Sequence, residues 1–236
     1  MTRAGFLHTV PALAERFDTL VGEQAPGVER IHVADAWMLQ TAIREGVTVA
    51  VRNRVAGHLR HLAETGADAI LVTCSSIGEA AEEAAQALRI PVIRVDQAMA
   101  TDAVARATAS GDGGARVPVV AVLATNTATL GPTSRLIERA ARQAGRDVAV
   151  SAAVVGGAVA ARDAGRPDEH DRLIADAVSA AADDASVIVL AQASMAAAAA
   201  GRAAVRIPVL TSPAGGVQAL LAALAAQAAR GQNRGS

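Results

Sequence analysis

The chain states one pattern twice. Ala69-Ile70-Leu71-Val72-Thr73 leads through a helical stretch to Arg89-Ile90-Pro91-Val92-Ile93. About 117 residues later, half the chain, Ser186-Val187-Ile188-Val189-Leu190 leads in the same way to Arg206-Ile207-Pro208-Val209-Leu210. Phe6-Leu7-His8-Thr9 opens the first half as Val122-Leu123-Ala124-Thr125 opens the second. A repeat of this kind restricts the fold to two like lobes.

The segments within each half set the fold class. Strands are expected at Ala4–His8, Arg30–Val33, Ala69–Thr73, Val92–Val95, Val117–Leu123, Val148–Val155, Val187–Leu190 and Val209–Thr211. Most are continuous apolar runs, the mark of strands covered on both faces in a parallel sheet. Helical patterns separate them, among them Asp35–Glu45, Val49–Thr65, Ile77–Leu88, Thr127–Ala144, Asp168–Asp183 and Val217–Arg230. Alternation of strand and helix predicts an α/β protein of two lobes, each a four-stranded parallel sheet flanked by helices. A pseudo-twofold relation and a central cleft are the expected arrangement. The expected division is residues 1–114 with 212–236 for the first lobe and 115–211 for the second. The turn-rich Ser110-Gly111-Asp112-Gly113-Gly114 is the expected hinge, and Gly231–Ser236 reads as a disordered tail.

Composition removes several functions. Net charge is −1, so no global field selects nucleic acid or an anionic membrane. With one Trp and no Tyr the usual stacking surfaces for single-stranded nucleic acid are missing. No apolar run reaches the roughly 18 residues of a membrane span. The start, Met1 to Val10, lacks the pattern of a signal peptide, and the single cysteine fits a reducing compartment. The expectation is a cytoplasmic protein. All 22 basic residues are Arg. Without lysine, a Schiff base to pyridoxal phosphate and a Walker A motif are both excluded. No cofactor is expected.

In a parallel sheet, ligands bind beyond the carboxyl ends of the strands. Four such ends carry small polar residues: His8-Thr9, Thr73-Cys74-Ser75-Ser76, Thr125-Asn126-Thr127 and Gln192-Ala193-Ser194. Cys74 stands where a buried strand gives way to a helix. Free backbone N–H groups and the helix dipole favour thiolate there, which predicts a thiol more acidic than free cysteine. The bland alternative is a buried structural cysteine beside a Ser cap. Ser75 and Ser76 can hold a carboxylate or enolate oxygen. Thr125, Asn126 and Thr127 can bind a second anionic group or cap the next helix. Gln192 and Ser194 can orient a substrate, and Thr9 borders the same strand ends. His8 is a candidate acid or base, or a satisfied structural histidine. Asp96 reads as a helix cap. His58 and His61 lie on a helix beside arginines with no third ligand, so they read as a solvated face and no metal site is expected.

These segments together resemble the aspartate/glutamate/hydantoin racemase superfamily. Val72-Thr73-Cys74-Ser75-Ser76-Ile77-Gly78, Leu123-Ala124-Thr125-Asn126-Thr127 with Gly131-Pro132-Thr133, and Val189-Leu190-Ala191-Gln192-Ala193-Ser194-Met195 carry the resemblance. Phe6 to Pro11 and Ile31 to Asp35 add to it. The resemblance implies two α/β lobes, a small carboxylate substrate, no metal or pyridoxal phosphate, and a homodimer. It also implies two cysteines flanking the α-carbon. Cys74 takes the first position, but Gln192 stands at the second, and the chain has no other cysteine.

The leading expectation is therefore a racemase- or isomerase-type enzyme acting at the α-carbon, or an adjacent double bond, of a small carboxylate. Cys74 would be acid, base or nucleophile. The alternatives are a single-cysteine decarboxylase of a 2-substituted malonate, as in the related arylmalonate decarboxylase branch, and a carboxylate-binding protein without catalysis. The maleate isomerase branch, with its first-half cysteine, is a third comparison.

Overall fold

A computed structural model describes residues 2–109, 116–199 and 205–233. The expected hinge at 110–114 lies outside the described residues. The chain divides into two compact units, Met1–Val95 with Pro213–Ser236, and Asp96–Ser212.

The first unit runs β1 (Arg3–His8), α1 (Leu13–Gln24), β2 (Glu29–Ala34), α2 (Ala36–Glu45), α3 (Val49–Glu64) and β3 (Ala69–Val72). A 3-10 turn at Ser75–Ile77, α4 (Gly78–Ala85) and β4 (Val92–Arg94) follow. The second unit holds α5 (Gln97–Ala109), β5 (Val119–Ala124), α6 (Thr127–Ala144), β6 (Ala149–Val154), α7 (Ala158–Asp163), α8 (Pro167–Ala181) and β7 (Val187–Leu190). It closes with a 3-10 turn at Ala193–Met195, α9 (Ala196–Ala199) and β8 (Val209–Thr211). The last helix, α10 (Ser212–Asn233), returns to the first unit.

Each unit has one parallel sheet, in the orders β2-β1-β3-β4 and β6-β5-β7-β8. The same order twice is the structural form of the sequence repeat. Central strands β3 and β7 are buried at every residue, as their unbroken apolar sequences require. Side chains of β5 alternate between two cores. Val120, Val122 and Ala124 join Val104 and Leu136 of α5 and α6. Ala121 and Leu123 join Ile174 and Val178 of α8. In the first unit Leu7, Ile70 and Val72 meet Val51, Val55, Leu59 and Leu62 of α3. That helical spacing puts four apolar residues on one stripe.

Local signals set the helix ends. Asp35 caps α2 by accepting from Trp37 N at 3.2 Å, and Thr48 caps α3 by accepting from Val51 N at 3.3 Å. Pro167 opens α8 with Asp168 and Glu169 in its first turn. Gly145 ends α6 with φ 63°.

Two expectations change. Helix α5 belongs to the second unit by its contacts, whereas the sequence division put residues 96–114 in the first. Its buried Met99, Ala100, Ala103, Val104 and Ala107 need the apolar face of β5 and β7, which carries them over. Helix α10 starts at Ser212, earlier than Val217, with Pro213 in its first turn where a missing N–H costs nothing. It also takes in Gly231, Gln232 and Asn233, which had read as tail. Residues 234–236 lie outside the described residues. Gly216 permits close packing there, since a Cβ would fall 2.7 Å from Val95 Cγ2. No described helix is long and apolar enough to cross a membrane.

Candidate active site

In the first unit, β1 and β3 deliver His8-Thr9 and Thr73-Cys74 to the same sheet edge, because Leu7 pairs with Val72. Cys74 stays extended, with φ −125° and ψ 116°, immediately before the 3-10 turn. The turn then folds its N–H groups back on the sulfur. Ser76 N–H, Ser76 hydroxyl and Ile77 N–H all bond to Cys74 Sγ. The Thr9 hydroxyl faces the same sulfur. It falls outside normal hydrogen-bond geometry, and its buried oxygen has no other partner among the described residues.

These donors do not win. Cys74 is half-buried by surface area and packs against the apolar core of α3 and α4. Desolvation pushes its thiol above the ordinary value, against the pull of Thr9, Ser76 and Ile77. The acidic thiol expected from the helix N-terminus is thereby overturned. A short 3-10 turn and three neutral donors offset only part of the cost of burying a thiolate. At neutral pH, Cys74 is a protonated thiol with donors already placed for its conjugate base.

His8 is fully buried, and both ring nitrogens are committed. Thr73 Oγ1 donates to Leu7 O at 3.2 Å, so it accepts from His8 Nδ1 at 2.8 Å. His8 Nε2 then accepts from His32 Nδ1 at 2.9 Å. Phe6 stacks on His32 at 4.6 Å, and Phe17 lies 6.0 Å from His8. Burial, then the neighbouring His32, lowers the His8 pKa to about 4. His32 is lowered too, chiefly by burial, while Asp18 at 3.4 Å from its Nε2 works the other way. This geometry is that of a satisfied histidine and leaves His8 no free nitrogen for a substrate.

Asp35 follows β2 beside His8, donating its N–H to His8 O at 2.9 Å. Its carboxylate accepts from Arg54 and from His58 Nε2, the latter at 2.7 Å. Burial opposes the charged form, but bonds from His58 and Arg54 hold Asp35 below the usual carboxylate range. His58 is thus a hydrogen-bond partner of Asp35, where a solvated face was expected. A contact spanning 23 residues leaves no local pattern to detect. Among the described residues no His, Cys, Asp or Glu group could hold a metal.

In the second unit, Gln192 ties two strand ends together. Its Oε1 accepts from Thr125 N at 2.6 Å and Thr125 Oγ1 at 2.8 Å. The carbonyl is spent, so the amide NH₂ is the group left to donate. Asn126 precedes α6 without capping it through its side chain. Instead Asn126 Oδ1 accepts from Thr129 Oγ1 at 3.1 Å. Thr127 is exposed at the first position of α6, and Ser194 lies in the 3-10 turn after Gln192. Asp96, expected as a cap, is fully buried directly ahead of α5. Sequence reasoning missed Thr129, one turn into α6, and Arg94, a buried cation at the end of β4.

A family model for Asp/Glu/Hydantoin racemase matches residues 7–220. The chain belongs to this family. Solved racemases share its fold. Aspartate racemase of Picrophilus torridus aligns at 13% identity and TM-score 0.67, covering 95% of each chain. Glutamate racemase of Francisella tularensis, in complex with D-glutamate, aligns at 15% identity and TM-score 0.67, covering 94% of this chain and 80% of that one. Allantoin racemase of Pseudomonas fluorescens aligns at 20% identity and TM-score 0.52, covering 94% and 90%. A search of curated proteins finds no significant match. Family membership makes the chain an enzyme of the cofactor-independent racemase and isomerase superfamily. The chain's single cysteine is Cys74.

Proposed function

We propose that this racemase-family member acts at the α-carbon of a small carboxylate, or at an adjacent double bond, with Cys74 as its acid/base group. The observation that carries this is the sulfur itself. The chain's single thiol stands at a strand end with Ser76 and Ile77 N–H groups and the Ser76 hydroxyl bonded to it. Such donors stabilise the thiolate that forms once the proton is given up. Ser75 and Ser76, beside the thiol in the first unit, hold a carboxylate oxygen. Thr9 supports the pocket beside Cys74. The Gln192 amide, with its oxygen bound to Thr125, donates through nitrogen.

One observation favours a narrower reading. Cys74 rests protonated, and no second thiol exists to take a proton from the opposite face. A protonated thiol is a donor. In a single-cysteine decarboxylation, a 2-substituted malonate loses CO₂ and its C–C bonding pair passes to the enediolate. Cys74 Sγ–H then protonates the α-carbon, and solvent returns a proton to the thiolate.

Proton NMR in D₂O on amino acids, hydantoins, 2-substituted malonates and maleate tests both readings. Wild type is expected to exchange or convert one class, and Cys74→Ala to lose at least about a hundredfold in rate, the usual scale of acid–base catalysis. Product from a malonate without α-exchange of an amino acid selects the decarboxylase. Full turnover by Cys74→Ala would sink the mechanism. Ligand-induced stabilisation without turnover would point to a binding protein.

A further inference from the structure

A buried arginine stands behind the Cys74 turn. Arg94 ends β4, paired in register with Val72, two residues before Cys74. Only 4% of it is exposed. Its guanidinium lies face-on against Gly78, the first residue of α4. A Cβ there would fall 2.5 Å from both Cζ and Nε and 2.7 Å from Nη2. Arg94 Nη1 donates to Glu82 Oε2 at 3.2 Å, one turn further along the helix. The arginine therefore bridges the end of β4 and the first turns of α4. The segment that points Ser76 and Ile77 N–H groups at the sulfur ends at Gly78, against this guanidinium.

Helix stability does not account for this placement. A cation at a helix N-terminus opposes the helix dipole, and burying a guanidinium carries a desolvation cost. An alanine or serine at position 78 would serve an ordinary helix start better than glycine. Both departures make sense if the positive group is needed where it is. There it adds to the dipole and the turn's N–H groups in stabilising negative charge.

We propose that Arg94 is a positioning residue for Cys74, clamping the 75–78 turn through Gly78 and adding positive potential to the strand end that carries the thiol. Glu82 moderates that potential from its partly exposed side. The inference rests on Cys74 as the reactive group, but its test needs no substrate, so the two can fail separately. Iodoacetamide alkylation of the full chain reads one thiol only, since Cys74 is the single cysteine. Rates measured against pH give the midpoint of thiolate formation. Arg94→Met is expected to raise that midpoint and slow alkylation near neutral pH by about fivefold, the loss of thiolate being partly offset by higher intrinsic nucleophilicity. Gly78→Ala, which displaces the guanidinium, moves it the same way. Glu82→Gln keeps the arginine and removes the carboxylate bonded to its Nη1, so the midpoint falls and alkylation quickens. A purely structural arginine would lower Tm in Arg94→Met without moving the midpoint, and that result overturns the proposal. Should Arg94→Met not fold, Glu82→Gln decides alone. A lower midpoint supports the clamp, and an unchanged or higher one overturns it.

Discussion

At the scale of residues, the buried imidazoles set a pH dependence. His8 has a folded pKa of about 4 against an ordinary 6.5. Between those values the unfolded chain takes up a proton that the folded chain refuses. Stability is therefore full above about pH 6.5 and falls as pH drops toward 4, by roughly 3 kcal/mol for this group alone. Urea midpoints at about pH 7 and pH 4.5 should show the loss, and His8→Asn should flatten it; a flat wild-type profile would contradict it. Some of this site was readable beforehand and some was not. Cys74, Thr125 and Gln192 stand at strand ends that apolar runs mark, so their placement followed from local pattern. The resting state of Cys74 did not, because desolvation depends on how α3 and α4 pack around the sulfur, which local pattern does not show. The bonds that occupy His8 reach across 24 and 65 residues, and no spacing rule encodes them. Arg94 escaped notice because an arginine inside a strand reads as a surface residue.

At the scale of elements, pattern was most informative where one signal decided the outcome. Helix α6 spans Thr127–Ala144 as expected, in spite of Pro132, because its buried Thr129, Thr133, Leu136, Ile137, Ala140 and Ala141 keep one face apolar or small throughout. Its end depends on Gly145 at φ 63°, whose N–H closes onto Ala141 and Arg142 carbonyls. Gly145→Ala meets no steric neighbour, so it isolates the backbone cost of the left-handed conformation. A loss of about 1 kcal/mol in chemical denaturation is the expected result. An unchanged midpoint would mean that the cap has an alternative geometry at no cost. Short α7, by contrast, was not among the expected helices. With six residues it holds too few turns to show a period.

At the scale of the whole molecule, the repeat predicted two like four-stranded parallel sheets, and the structure has two, in the same strand order. Of the two closing helices, α10 lies in the unit that the division read from sequence gave it, and α5 does not. Helix α5 leaves the first sheet to cover the second, and α10 returns from the second to complete the first unit. Which sheet a helix covers is a matter of where its apolar face finds a match, and a linear pattern does not show that. Val217, Leu220 and Leu224 of α10 are almost wholly buried. A chain ending at Thr211 would expose their former neighbours, losing roughly 5–9 kcal/mol of burial, about the size of a domain's stability. Such a truncation should lose cooperative unfolding in the first unit, as read by hydrogen exchange in β1 and β3, whereas protection there at wild-type levels would show that α10 is dispensable. The interchange also has a consequence for synthesis. On the ribosome, the segment from Asp96 to Ser212 has all its parts before the remainder appears. Residues 1–95, which carry the thiol, emerge ahead of that segment yet wait for residues 213–233 before their unit is whole. The half of the molecule that is born first is the half that matures last, and until then its cysteine has no finished setting.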